Sequence, residues 1–428
     1  MTHWRQCRLW PPLAPSPLAL IFLCLLTRTP TICFAQGDPG SILSVQILEV
    51  IQPAEIERLA KPLFTEAGLS VPPMRYAVEA YSLRYLSTDY DGSSVEITAQ
   101  FFMPRFVTQT ARPVYVFGSG TTGIADSCAP SLEPPDVRRW GWYRQNMLAY
   151  VGLGFIVIFP DYTGFNDSDR PQRYFSKLAE GYAMLDAARA VFRFFEFSGY
   201  AVEPAPAVFL AGYSQGGHAA FAGADLRSVY APEVPLVGVI GYGSTNDIET
   251  LFKEAPVYTP HILYTYSIMY GREEIDPAAY LQDRWVRALE ADVNRMCVEE
   301  FQIYYPTDGN KLYRPEFYRA LHENRLDESY PALATRLVEN RSGLTGHEIP
   351  ALIVQGTADI VVTTSSQDRY VNALRRAKSL VRYEVLEGVR HKHTRAAGFL
   401  ASVEWMELIS QGKTPPSNER GNSSAPRW

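Results

Sequence analysis

A serine with a glycine two places to either side stands at residue 214, in the run Gly212, Tyr213, Ser214, Gln215, Gly216. A serine hydroxyl is a poor nucleophile until a base removes its proton and the backbone holds it out towards a substrate. A short apolar run at 208–210 precedes the motif and helix-favouring residues follow it, so the pattern predicts a sharp strand-to-helix turn with Ser214 at its tip. The glycines have a steric purpose in such a turn, because side chains at 212 or 216 would collide with neighbouring backbone. The chemistry implied is attack on an electrophilic carbon through a covalent intermediate.

That chemistry needs a base and a group that orients it. The apolar run 352–354 leads into Gln355, Gly356, Thr357, Ala358, Asp359, which puts a carboxylate just past a strand end, and Asp359 is the expected acid. A turn-capping aspartate would look the same in sequence. The run 237–242 is followed by Asn246 and Asp247, and Asp247 is the second choice. The base should lie beyond the last strand, where Gly388, Val389, Arg390, His391, Lys392, His393 offers two histidines. His391 directly follows the tight turn and is the expected base, ahead of His393. The His-x-His pair has no third ligand of matching type nearby in sequence, so neither a metal nor any cofactor is expected. His218, beside the strand-to-helix turn at Ser214, the elbow, is expected to pack or cap its helix.

Negative charge on a tetrahedral intermediate requires two backbone N–H groups. Gln215 supplies one at the start of the helix. The other is expected at Thr121, in the loop Gly118, Ser119, Gly120, Thr121, Thr122, Gly123 that follows the apolar run 114–117. A plain flexible turn is the simpler alternative, and a phosphate loop would need a lysine that is not there.

The elements that must carry these groups follow from hydrophobic patterning. Residues 81–87 and 95–103 alternate in the manner of strands about Asp89, Tyr90, Asp91, Gly92, a D-G turn of a hairpin. Short apolar runs at 114–117, 155–159, 208–210, 237–242, 352–354 and 383–386, mostly separated by helix-like segments, predict a buried parallel sheet in an α/β fold. Helices are expected at 175–197, with an apolar stripe through Leu178, Tyr182, Leu185, Ala188 and Phe192, and at 216–229. Residues 41–75 are expected to wrap the outside. Residues 246–347 carry helical patterns without a clear strand, which predicts an inserted helical cap between core segments 36–245 and 348–411.

The chain ends and composition set its class. Residues 1–37 hold no Asp or Glu, carry Arg5 and Arg8, and run apolar from 18 to 26, too short to span a bilayer and matching a signal peptide with cleavage after Ala35. Removal of 1–35 predicts a secreted, extracellular protein. Residues 412–428 are polar and rich in Pro, Ser and Asn, and are expected to be disordered. A net charge of −6 argues against nucleic acid as a partner. Of five cysteines, only Cys128 and Cys297 lie beyond the leader; they form either one disulfide closing a long loop or two separate buried thiols.

With these pieces assembled, the chain resembles the secretory lipase family, which includes fungal lipase A-like enzymes and many actinobacterial relatives. The resemblance is carried by Gly120, Thr121, Thr122, Gly123, Ile124, Ala125, Asp126, by Cys128, Ala129, Pro130, Ser131, by Pro160, Asp161, Tyr162, Thr163, Gly164, by the elbow, and by the surroundings of Asp359 and His391; it spans about residues 81–405. It implies an α/β-hydrolase fold, a mostly parallel central sheet flanked by helices, with a helical cap shaping an acyl-binding tunnel. It implies an oxyanion hole at Gly120 and Thr121, although the family usually has His where this chain has Ser119, and a Cys128–Cys297 disulfide. It also implies hydrolysis of carboxylic esters by a lipase or carboxylesterase, with an ester or lipid as partner and contact with lipid interfaces. The run 261–270, HILYTYSIMY, would then line an acyl pocket or bury itself in the core of the cap. Asp161 and Tyr162 are expected to be structural. Two other readings compete. An exported aminopeptidase of the same fold would need a cap carboxylate for a substrate ammonium, with Glu273 and Glu274 available. A non-catalytic binding protein on this scaffold is opposed by the complete Ser, Asp, His set.

Overall fold

A computed structural model of the chain describes residues 32–33, 37–134, 139–167, 170–196 and 199–413. All of the expected signal peptide except 32–33 therefore falls outside the described residues, as does the expected tail from 414 onwards. Ten strands form one sheet: β1 (Ile32–Cys33), β2 (Ile42–Ile51), β3 (Val78–Thr88), β4 (Ser94–Pro104), β5 (Thr110–Gly118), β6 (Ile156–Pro160), β7 (Val202–Tyr213), β8 (Leu236–Tyr242), β9 (Ala351–Gly356) and β10 (Val381–Leu386), in the order β1-β2-β3-β4-β6-β5-β7-β8-β9-β10. The strands from β6 to β10 are mutually parallel and those from β1 to β4 antiparallel, with β4 also antiparallel to β6. Strand chemistry explains the division. The parallel strands are short apolar runs covered on both faces, whereas the long β3–β4 hairpin alternates about its D-G turn, where Gly92 takes φ +86°.

Helices cover both faces of the sheet. On one side lie α1 (Pro53–Glu66), α2 (Tyr143–Gly152) and the C-terminal helix Phe399–Ser410. There Tyr150 stacks on Tyr115 of β5 at 4.3 Å and Trp405 meets Phe209 of β7 edge-on at 6.0 Å. On the other side lie α3 (Lys177–Glu196) and α4 (Gln215–Tyr230). Residues 246–347 hold α5 (Glu249–Glu254), α6 (Thr259–Tyr270) and shorter helices, with a single bridge, Leu281 to Tyr313, as the extended pairing among the described residues.

Two local expectations are corrected. Residues 41–75 do not merely wrap the outside, since 42–51 form β2 within the sheet. Ile47, Leu48 and Val50 are exposed on this outer strand, which removes the inside-outside alternation that identifies a strand. The buried stripe of α3 is displaced: Leu178 is exposed, and Tyr182 and Phe192 are half-buried. Gly181, Ala183, Met184, Ala187 and Val191 are buried with Leu185 and Ala188, because α3 is covered by α4 as well as by the sheet. A Cβ at Gly181 would stand 2.9 Å from the Ala222 carbonyl carbon, so small residues set the spacing of that pair. Of the two readings open for 261–270 the structure takes the buried helix, since the run lies in α6 and buries Ile262, Leu263 and Tyr266. His261 is buried with them, 4.2 Å from the Phe301 ring, and burial holds its pKa down at about 3, so it is neutral at ordinary pH.

Candidate active site

Ser214 occupies the junction of β7 and α4 with φ 54° and ψ −114°, a region that costs a non-glycine residue strain. The glycines around it are forced by contact. A Cβ at Gly212 would lie 1.9 Å from the Gly216 carbonyl oxygen, and one at Gly216 would lie 1.9 Å from the carbonyl oxygen of Gly118. The turn therefore presses the end of β5 against the first turn of α4, which brings the 118–123 loop beside the serine.

Asp359 follows β9 in a turn that it closes itself, its Oδ1 accepting from the backbone N–H groups of Val361 and Val362, both at 2.9 Å. Its other oxygen, Oδ2, accepts from His391 Nδ1 at 2.7 Å. A carboxylate in that position keeps the proton on Nδ1 and leaves Nε2 as the basic nitrogen. The His391 ring packs on Tyr213, with centroids 4.8 Å apart. Gly243, at the end of β8 with φ +51°, makes room for the pair, since a Cβ there would stand 3.0 Å from His391 Nδ1 and 3.1 Å from Asp359 Oδ2. Asp247 is not part of this arrangement, being paired with Arg341 at 3.0 Å. His393 lines a different crevice with Glu66 and Trp142.

Ser214, His391 and Thr121 share the wall of one cavity of about 670 Å³. Among the described residues, the backbone N–H groups of Gln215 and Thr121 have no hydrogen-bond acceptor in the protein. The Thr121 loop is held from several directions. Tyr162 donates its hydroxyl to the Ser119 carbonyl at 2.8 Å, the Thr121 hydroxyl bonds that of Tyr174 at 2.7 Å, and Val298 N–H donates to the Thr122 carbonyl at 2.8 Å. Asp161 accepts from the backbone and hydroxyl of Ser131, and burial raises its pKa to about 6. Asp161 and Tyr162 are thus structural supports.

Cys128 and Cys297 form a disulfide, with Cα atoms 5.5 Å apart, across 169 residues of sequence. It crosses directly behind the Thr121 loop: a Cβ at Gly123 (φ +133°) would stand 2.7 Å from Cys128 Sγ and 3.3 Å from the Cys297 Cα. Replacing both cysteines by serine should lower stability by about 5 kcal/mol, because a loop spanning 169 residues is no longer closed in the unfolded chain. It should also loosen the Val298 to Thr122 tether. Thermal melts of wild type with and without reductant, alongside the double variant, check this; equal midpoints in all three would contradict it.

Several residues at the site carry no sequence signal. Glu180 of α3, fully buried, accepts from Gln215 Nε2 at 2.7 Å and from the Phe175 N–H at 2.9 Å, and its other oxygen shares a hydrogen bond with His218 Nδ1 at 2.5 Å. His218 Nε2 bonds the Asn340 carbonyl at 2.6 Å, so His218 joins the elbow helix to the chain just past the helix Pro331–Glu339. Glu133 gathers the N–H groups of the loop that forms the cavity wall at Arg139, Trp140 and Tyr143. From residues 246–347, Tyr258, Val298, Glu299 and Gln302 reach the cavity, whereas 261–270 does not. Glu273 and Glu274 do not line it either, and Glu274 is paired with Arg336 at 2.6 Å.

Comparison with known proteins fits this geometry. Lipase A of Arthroderma benhamiae is 28% identical over 226 residues, 51% of this chain and 45% of that protein, so the match spans less than half the length of its relative. Among solved structures, a ligand-bound form of the rice cell wall degrading esterase LipA from Xanthomonas oryzae superposes with a TM-score of 0.68 at 16% identity, covering 88% of this chain and 98% of the other. Candida antarctica lipase A in its closed state gives a TM-score of 0.65 at 17% identity, covering 89% and 84%. At such identities these two establish the fold, an α/β-hydrolase. The family profile described as "Secretory lipase" matches residues 146–418, a stretch that contains the elbow, Asp359 and His391, and the chain belongs to the secretory lipase family.

Proposed function

We propose that the protein is a secreted serine hydrolase that cleaves carboxylic esters through an acyl-enzyme. The observation that carries this reading is the 2.7 Å bond from His391 Nδ1 to Asp359 Oδ2 in the cavity that Ser214 lines. Ser214 Oγ attacks the ester carbonyl while His391 Nε2 takes its proton, and Asp359 orients the ring and stabilises the imidazolium. The oxyanion forms against the amides of Gln215 and Thr121. His391 returns the proton to the departing alcohol, then activates water, which releases the acid and restores the serine. Residues 246–347 act as the cap over this cavity, and an ester or lipid is the substrate. The acid-free, Arg-bearing leader with its short apolar run supports export, with cleavage after Ala35.

The test is hydrolysis of p-nitrophenyl esters from acetate to palmitate by the purified mature protein, with Ser214→Ala alongside. Activity that disappears in the variant, by about 10⁴-fold or more, is expected. Activity confined to acetate would indicate a small-ester esterase. Equal rates for both proteins would remove Ser214 from the mechanism.

A further inference from the structure

The charge around the cavity is unbalanced. Of the side chains lining it, Arg139, Arg390 and Lys392 are cationic, and Glu299 is the one carboxylate among the described residues. Arg139 Nε donates to Glu299 Oε1 at 3.0 Å, so that pair cancels. Arg390 and Lys392, both exposed, stand on either side of His391 in sequence and have no ion-pair partner or side-chain hydrogen bond among the described residues. Asp359 is buried behind His391, does not line the cavity and forms no ion pair with either of them. Two uncompensated cations therefore bracket the base in a chain whose net charge is −6. The same wall carries Ala358, Ile360 and Val361, an apolar strip beside a cationic edge. A cleft lined by one sign of charge concentrates ligands of the opposite sign.

We propose that the preferred ester carries a negative charge of its own, a carboxylate held by Arg390 and Lys392 while its apolar part lies along Ala358, Ile360 and Val361. The inference rests on the ester-hydrolase reading above and names the substrate class within it. The remote carboxylate takes no part in bond making: the acyl carbon bonds to Ser214 Oγ as the alcohol leaves with the proton from His391, and water then releases the acid. It adds an attraction that a neutral ester lacks.

Two pairs of esters test this and show which half of the substrate carries the charge. Monoethyl adipate against ethyl heptanoate places the carboxylate on the acyl side, and butyryloxyacetate against butyryloxyacetamide places it on the alcohol side. At low ionic strength, at least one anionic ester should show a kcat/KM about tenfold above its neutral partner, the size two partly exposed charge pairs supply together. That ratio should fall in about 0.5 M NaCl, where screening is nearly complete beyond contact distance. It should fall to about one in the double variant Arg390→Gln/Lys392→Gln. Ratios at or below one for both pairs in wild type at low salt, with the neutral esters cleaved, would overturn this inference and leave the ester-hydrolase reading intact. A ratio unmoved by salt, or unchanged in the double variant, would also overturn it. Failure to cleave any of the four esters would count against the ester-hydrolase reading, and this inference would fall with it.

Discussion

Asp359→Asn is expected to lower kcat on a soluble ester by about 10⁴-fold while leaving KM and the melting midpoint close to wild type. The direction follows from what surrounds the carboxylate. Oδ1 accepts from two backbone amides, Val361 and Val362, and that demand remains in the variant. An Asn side chain meets it by turning its oxygen to those amides, which leaves its NH2 facing His391 Nδ1. A donor in that position forces the imidazole proton onto Nε2, the nitrogen that has to accept the proton of Ser214. The turn survives, and so does substrate binding against the cavity wall, but the base is in the wrong tautomer. Steady-state kinetics across neutral and mildly alkaline pH, with Ser214→Ala setting the floor, would measure the loss. A variant retaining more than about a tenth of wild-type kcat would mean that Asp359 does not orient the base.

Much of this site was legible because its chemistry is written in local constraints. The elbow can be read from five residues, since Gly212 and Gly216 answer to contacts within a few residues or with the adjacent strand end. Asp359 and His391 each follow an apolar run that becomes a parallel strand, and parallel strands bring their C-terminal ends to one edge of the sheet. Gly243 shows where this kind of reading stops. It is one of many glycines in the sequence, and only the assembled pair of His391 and Asp359 explains why a side chain is not accommodated there.

The parts that were not legible depend on tertiary contacts with no sequence period. β2 was missed because its outer face leaves Ile47, Leu48 and Val50 exposed, so hydrophobicity did not report burial. The stripe on α3 was displaced because a helix covered on two sides loses the single-face pattern that periodicity detects. The apolar run 261–270 left a ligand wall and a buried helix both open, because the two have the same composition, and only the fold decides for the helix. Glu180 and Glu133 are buried acids whose partners are chiefly backbone N–H groups and distant side chains, and neither stands in a motif.

Glu133→Gln should destabilise the protein by about 3 kcal/mol and reduce kcat/KM by roughly 10²-fold, although Glu133 does not itself line the cavity. One carboxylate holds the whole 139–143 loop. Its Oε1 accepts from the N–H groups of Trp140 at 2.7 Å, Gly141 at 2.6 Å and Trp142 at 3.0 Å, while Oε2 accepts from Tyr143 at 2.8 Å at the start of α2. That concentration of donors lets Trp142 sit at φ 55° at the helix entrance. From the other side Arg395, buried, donates to the Gly141 carbonyl and lies over the rings of Tyr143 and Tyr213 at 4.9 and 4.8 Å. The Gly141 peptide is thus gripped by an acid at its N–H and by a guanidinium at its oxygen, and the loop presents Arg139, Trp140 and Tyr143 to the cavity. Glutamine has the same length but only one accepting oxygen, so whichever way its amide turns, an NH2 opposes at least one backbone N–H. Glu133→Asp keeps both oxygens on a shorter stem, so it should recover part of the stability and little of the activity. Thermal denaturation and the fluorescence of Trp140 and Trp142 would report the loop, and separate kcat and KM values would report its effect on the site. A melting midpoint unchanged in Glu133→Gln would mean that Arg395 and its ring contacts, rather than the carboxylate, set the shape of the cavity wall.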